Sequence, residues 1–172
     1  MMKGAWIGLT VLAFTTVSGF GANGMANIKG TSAGSPLRGT VTLEDTASGL
    51  HVKAVLSGVP AGVHAFHIHE FGDCADMAKA AGSHYNPLSA PHGQVLKQGI
   101  QHAHAGDLGN VTADAAGNVS MDATIPNLTL SSGPYTVAGR AFVVHEKVDD
   151  WSQPTGNAGG RVACGVVGVA KP

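Results

Sequence analysis

Glycine punctuates this chain so often that no stretch can sustain a helical face: 25 of the 172 residues are Gly, without a period and mostly beside Asp, Asn, Ser or another Gly. Such clusters supply the backbone conformations of tight turns, and the apolar runs between them read as short strands. In the run 37–44, Val41 and Leu43 fall on one face with Thr40 and Thr42 on the other, and 50–57 follows the turn Thr46-Ala47-Ser48-Gly49, as in a hairpin. Further strands are expected over 62–71, 110–114, 118–125, 138–146 and 161–169, with a first one near 27–30. Eight short strands with glycine-rich connections point to an all-β sandwich or closed barrel. Two segments break the rhythm, 72–106 and 147–160, and a long irregular stretch inside a compact domain marks function.

Residues 1–26 follow another layout. Lys3 precedes an uncharged apolar run over 5–17, and small residues fill 21–26, the order of a secretory signal peptide. The run falls short of the roughly 20 residues that a spanning helix needs, so cleavage is expected, leaving 27–172 as one domain. Gly19-Phe20-Gly21 and Gly24-Met25-Ala26 both fit a small-x-small cleavage pattern, which places the cut at about 19–26. Export leads to an oxidising compartment, the periplasm or the extracellular space, where Cys74 and Cys164, the two cysteines, can pair. Closing a loop of about 90 residues would contribute roughly 4 to 5 kcal/mol in the chain-entropy model. With 10 Lys+Arg against 11 Asp+Glu and no basic run, a nucleic acid or an anionic membrane surface is excluded as a partner.

Nine histidines carry the chemical information. In Phe66-His67-Ile68-His69 a strand turns His67 and His69 to one face and Phe66 and Ile68 to the other. Same-face neighbours lie about 7 Å apart, so both imidazoles can reach one metal. The segment 72–106 adds His84, His92, His102 and His104, with Asp107 three residues beyond, and His145 closes the strand that contains Phe142, where it could complete the site begun by His67 and His69. His67, His69, His84, His92, His104, Asp107 and His145 make seven groups, whereas two four-coordinate ions need eight. One shared imidazole resolves the count, because both ring nitrogens can bind a metal. Four nitrogens in a flattened array suit Cu(II), and three nitrogens with a carboxylate in a tetrahedron suit Zn.

The strings FHIHEFGD (66–73), GSHYNP (82–87), HAGDLGNVTAD (104–114), VVHEKVDD (143–150) and TGNAGGRVACGV (155–166) resemble the copper/zinc superoxide dismutase family, in order over about 39–169, and the likeness is to its exported, bacterial-type members. The resemblance implies a flattened eight-stranded Greek-key barrel, sandwich-like, with long metal-binding and electrostatic loops. It implies one Cu and one Zn per chain: His67, His69 and His145 on copper, His84 as the bridge, and His92, His104 and Asp107 on zinc. Asp149 matches a carboxylate that links ligands of the two metals, Arg161 the arginine that attracts the anionic substrate, and Thr155 the threonine that narrows the channel. His64 matches a structural histidine, whereas His51 and His102 match nothing and read as surface residues. The implied activity is disproportionation of superoxide to dioxygen and hydrogen peroxide, with His84 and Arg161 as catalytic residues.

Two departures from the animal members stand out. Cys74 lies ten residues before His84, further than in those members, and the loop after Asp150 holds only Trp151, Ser152, Gln153 and Pro154 before Thr155. The charged residues that shape the substrate field are absent, so electrostatic steering must be weaker or come from elsewhere. An exported copper and zinc carrier with the same barrel is the alternative, and Arg161 and Thr155 argue against it, since storage needs no anion-attracting group. Three His with an Asp leave zinc no open position for water, which disfavours a zinc hydrolase. Exposed strand faces allow a homodimer.

Overall fold

The computed structural model describes residues 21–170. Most of the expected signal peptide, residues 1–20, lies outside the described residues. Eight antiparallel strands form one sheet: β1 (Asn23–Gly30), β2 (Arg38–Thr46), β3 (Gly49–Ser57), β4 (Gly62–His69), β5 (Asn110–Ala113), β6 (Val119–Ile125), β7 (Ala141–His145) and β8 (Arg161–Val169). Their order is β5-β4-β7-β8-β1-β2-β3-β6. The two end strands, β5 and β6, are consecutive in the chain and joined by a tight turn in which Asp114 N–H donates to the Asn118 carbonyl at 3.0 Å. The Asp114 carboxylate accepts from Ala116 and Asn118 N–H at 2.9 and 2.8 Å. That turn brings the sheet's ends together into a nearly closed barrel. Only β3 to β4 and β6 to β7 connect strands that are not neighbours in this ring, the Greek-key pattern.

Alternation sets the register. Val41 pairs with Ala54 and Leu43 with Val52, all buried, while Thr42 and Lys53 face solvent. In β4 and β7 the alternation disappears because both faces are covered. Phe66 pairs with Val144 and Ile68 with Phe142 on the barrel interior, and the Phe66 and Phe142 rings stack with centroids 5.3 Å apart. On the outer face His67 pairs with Val143 and His69 with Ala141. Val143 and Ala141 pack with Ala78, Ala81, Cys74 and Cys164 in a second apolar cluster. The segment after β4 therefore lies on the outside of the barrel wall, tied to β8 by the Cys74–Cys164 disulfide. Its helical content is one 3-10 turn, Lys79–Ala81, and one α-helical turn, α1 (Val95–Gln98). No helix among the described residues is long and apolar enough to cross a membrane.

Several strand ends shift by a residue or two from the sequence reading, and three of the differences have a visible cause. β1 starts at Asn23 instead of 27, because Asn23–Ala26 pair with β2 and Gly24–Ala26 also pair with β8, with Ala26 fully buried. β4 stops at His69 because Glu70 and Phe71 N–H donate to the Ser83 and Ala81 carbonyls of the outer segment. β7 starts at Ala141 because residues 138–140 turn, Arg140 N–H donating to the Val137 carbonyl at 3.1 Å.

The stacked phenylalanines join the two strands that carry three of the site's histidines. Phe142→Ala should cost about 3 to 5 kcal/mol, measured as a lower urea midpoint with the slope unchanged; a loss under about 1 kcal/mol would show that the stack does not anchor β4 to β7.

Candidate metal centre

His67 and His69 project from the outer face of β4 under cover of the two irregular segments, and both are fully buried. His145 closes β7 on the same side, next to a register shift at Val144/His145. His84 reaches β4 through an isolated bridge to His69, and Tyr85 N–H donates to the Ile68 carbonyl at 2.8 Å. Side-chain atoms of His67, His69, His84 and His145 all lie within 4.8 Å of one another, and so do those of His84, His92, His104 and Asp107. His84 alone belongs to both groups. All seven groups singled out in the sequence are brought together.

The donor atoms fit metal ions better than each other. His67 Nδ1 and His92 Nδ1 are buried without a hydrogen-bond partner, a costly state for polar atoms unless something else satisfies them. His69 Nε2 and His145 Nε2 lie 3.2 Å apart. His92 Nδ1 is 2.9 Å from Asp107 Oδ2 yet makes no aligned hydrogen bond to it, as two atoms do when both aim at a third body. In three of the rings the other nitrogen is occupied: His69 Nδ1 donates to the Gly82 carbonyl at 3.0 Å, and His67 Nε2 and His92 Nε2 each donate to Asp149 at 2.9 Å. Such outer partners fix which nitrogen faces the metal. The two sites are of the kind that copper and zinc occupy.

Electrostatics points the same way. Burial lowers the His69 pKa to about 2, His145 to about 3 and His84 to about 4, with neighbouring imidazoles adding to it for each. Their nitrogens therefore keep free lone pairs at neutral pH. Burial also works against a charge on His92, but the Asp107 and Asp149 carboxylates on either side of the ring outweigh it and push that group up to about 9. For Asp107 and Asp149 burial favours the neutral acid and is overcome by imidazole and backbone N–H donors, holding both carboxyls well below the usual range. Two fixed carboxylates around His92 make this half of the site a seat for positive charge.

Arg161 opens β8 beside an open cavity of about 490 Å³ lined by His69, His84, His145 and Thr155. Its guanidinium donates through Nη1 to the Ala78 carbonyl and through Nη2 to the Gly82 carbonyl, each at 2.6 Å. The disulfide secures the segment that bears both carbonyls. His64 is structural: its two ring nitrogens lie 2.9 and 2.8 Å from the carbonyls of His145 and Pro60. His51 sits on the outer sheet against Asp122 at 2.8 Å, and His102 is exposed, so neither joins the site.

Sequence reasoning missed several supports. Gly93 N–H donates to Asp107 Oδ2 at 2.8 Å. Asn110 accepts from Asp149 N–H at 2.8 Å and donates to its carbonyl at 3.0 Å. Gly156, at φ +73°, passes so close that a Cβ there would fall on Asp149 Oδ1 and come within 2.7 Å of His92 Nε2. The glycines of 155–160 were visible, but nothing in their spacing says that one of them faces a carboxylate.

A barrel with paired histidine-rich sites on its outer wall, one imidazole common to both, defines a two-metal β-barrel protein. Residues 37–167 match the family model described as copper/zinc superoxide dismutase (SODC). The chain is 39% identical over 142 residues to an extracellular Cu-Zn superoxide dismutase of Caenorhabditis elegans, covering 78% of this chain and 62% of that protein's length. Among solved structures it is similar to the crystal structure of the clock protein EA4, with a TM-score of 0.75 and 37% identity over 94% of this chain and 100% of that one. This chain belongs to the copper/zinc superoxide dismutase family.

Gly156→Ala should displace the Asp149 carboxylate and weaken zinc retention by roughly tenfold or more, in the range seen for other outer partners of metal ligands. Competition with a zinc chelator measures it; unchanged retention would show that Asp149 does not hold His92 for the metal.

Proposed function

We propose that this chain is an exported, bacterial-type superoxide dismutase that converts two superoxide anions to dioxygen and hydrogen peroxide. What carries the reading is His84, common to both histidine groups, at the wall of a cavity that also contains Arg161. In this reading His67, His69, His84 and His145 hold copper, and His84, His92, His104 and Asp107 hold zinc. Bound copper supplies reversible one-electron chemistry, so that one superoxide gives up an electron and a second takes one up with two protons, without two anions meeting.

The chain's own residues do the rest. Burial lowers the Arg161 pKa, but a guanidinium starts so far above neutral that it keeps its charge. Clamped by the Ala78 and Gly82 carbonyls, it presents a fixed cation that draws the anion into the cavity and orients it. Thr155 narrows the entrance. His84 Nδ1 lies 2.8 Å from Asp107 Oδ1, on the side where zinc would hold the ring, which leaves Nε2 as the atom from which a proton is handed to the peroxide. The short loop over 150–155 leaves Arg161 to do most of the steering. A carrier of both metals would need neither the cavity nor the clamped cation.

Export to the periplasm or the extracellular space is supported by the leader-like residues 1–20 and by the disulfide. Processing after Gly21 fits better than after Ala26, because Asn23–Ala26 belong to β1. Phe71 and Met77 are more than half exposed, and Val166, 42% exposed, lies against Gly72 on the same side; that apolar surface is what a homodimer would cover. The mass of the exported protein should correspond to a start at Ala22, and sedimentation should give twice the chain mass. A start at Asn27 or a monomer would overturn the respective statement.

Stripping copper with zinc left in place should abolish dismutation and restoring it should return the activity; both metals bound without turnover would favour the carrier. Arg161→Ala should lower kcat/KM about tenfold or more and flatten its salt dependence. His84→Ala with full copper-dependent activity would refute the bridging role.

A further inference from the structure

We infer that Gln153 is a positioning residue for His92, a zinc-side imidazole that lies outside the barrel strands. The carboxamide makes a reciprocal pair of hydrogen bonds with the backbone of that one residue: His92 N–H donates to Gln153 Oε1 at 2.9 Å, and Gln153 Nε2 donates to the His92 carbonyl at 2.9 Å. His92 lies in the irregular segment before α1, outside any strand, so no ladder fixes its backbone. The side chain of Gln153 supplies the two bonds that a neighbouring strand would have made.

The other end of His92 is held from the same loop. Asp149 Oδ1 accepts from His92 Nε2 at 2.9 Å, and Trp151, between the two polar residues, stacks on the imidazole at 20° with centroids 6.3 Å apart. Backbone and ring are thus gripped by residues 149 and 153, leaving Nδ1 aimed into the site. Only a carboxamide of this length fulfils both roles of the clamp. A carboxylate could accept from the N–H but would set negative charge against the carbonyl, and Ala would leave both groups to water. The loop that lacks the charged residues expected for steering carries in their place an uncharged residue used for holding.

The inference rests on the reading of this site as the zinc site, and its test separates the two. Using the full exported protein loaded with copper and zinc, zinc release into a chelator is timed for the parent, Gln153→Ala and Gln153→Glu. Co(II) is then placed in the zinc site of each and its visible bands are recorded, with the thermal midpoint of the metal-free proteins as a control for folding. Both variants should release zinc about 10- to 100-fold faster, with altered Co(II) bands, unchanged copper content and unchanged metal-free midpoints. A parent that takes up no zinc would overturn the zinc reading and the inference with it. A parent that binds zinc while Gln153→Ala matches it in release rate and Co(II) bands would overturn the inference alone. Equal lowering of the metal-free midpoint with unaltered Co(II) bands would also overturn it, showing a general packing role.

Discussion

Asp149 stands between two imidazoles that arrive from different parts of the molecule. One oxygen accepts from His67, fixed on β4, and the other from His92, in an irregular segment. Neither imidazole could be buried with its outer nitrogen unpaired without a cost of about 1 to 3 kcal/mol, and one carboxylate answers both. The carboxylate needs the same contacts, since it is itself 1% exposed and a buried charge without partners is untenable. Asn110 holds the Asp149 backbone, linking this exchange to the start of β5. The metal-facing nitrogens are directed inward because the outward-facing ones are already committed.

A second chain of contacts serves the cavity side. The Gly82 carbonyl accepts from both His69 Nδ1 and Arg161 Nη2, so one backbone oxygen sets the distance between an imidazole and the cation that faces the substrate. Gly82 belongs to the segment that Cys74–Cys164 ties to β8, and Ala78 and Ala81 of that segment pack on Ala141 and Val143. The segment from Cys74 to His84 runs along the barrel wall, where three residues in succession, Asp76, Met77 and Ala78, adopt positive φ. The conformation costs energy for residues with a Cβ, and it presents the Ala78 carbonyl to Arg161.

Much of this could be read from the sequence, for identifiable reasons. Period-two alternation put Val41 and Leu43 on one face, which the barrel buries, and placed His67 and His69 together, because a strand's geometry is local. The count of seven groups for eight positions needed no structure either. What could not be read depends on contacts between segments distant in the chain. Gln153 is 61 residues from His92 and looks like any polar loop residue; Asn110 resembles a strand start, and Gly156 one more turn glycine. The early start of β1 was hidden because Ala26 and its neighbours look like the small residues of a cleavage region, and only pairing with both β2 and β8 identifies them as wall.

The turn that joins β5 to β6 has a consequence for the molecule in a crowded compartment. A sheet with free edges offers rows of unpaired N–H and C=O groups on which another chain can add a strand. Here the end strands are short, four and seven residues, and are held side by side by the turn between them. The barrel owes this protection to its own hairpin and not to the metal-bearing segments outside it. A chain approaching to add a strand therefore meets two short edges lying next to each other, where neither offers the length of a free central strand.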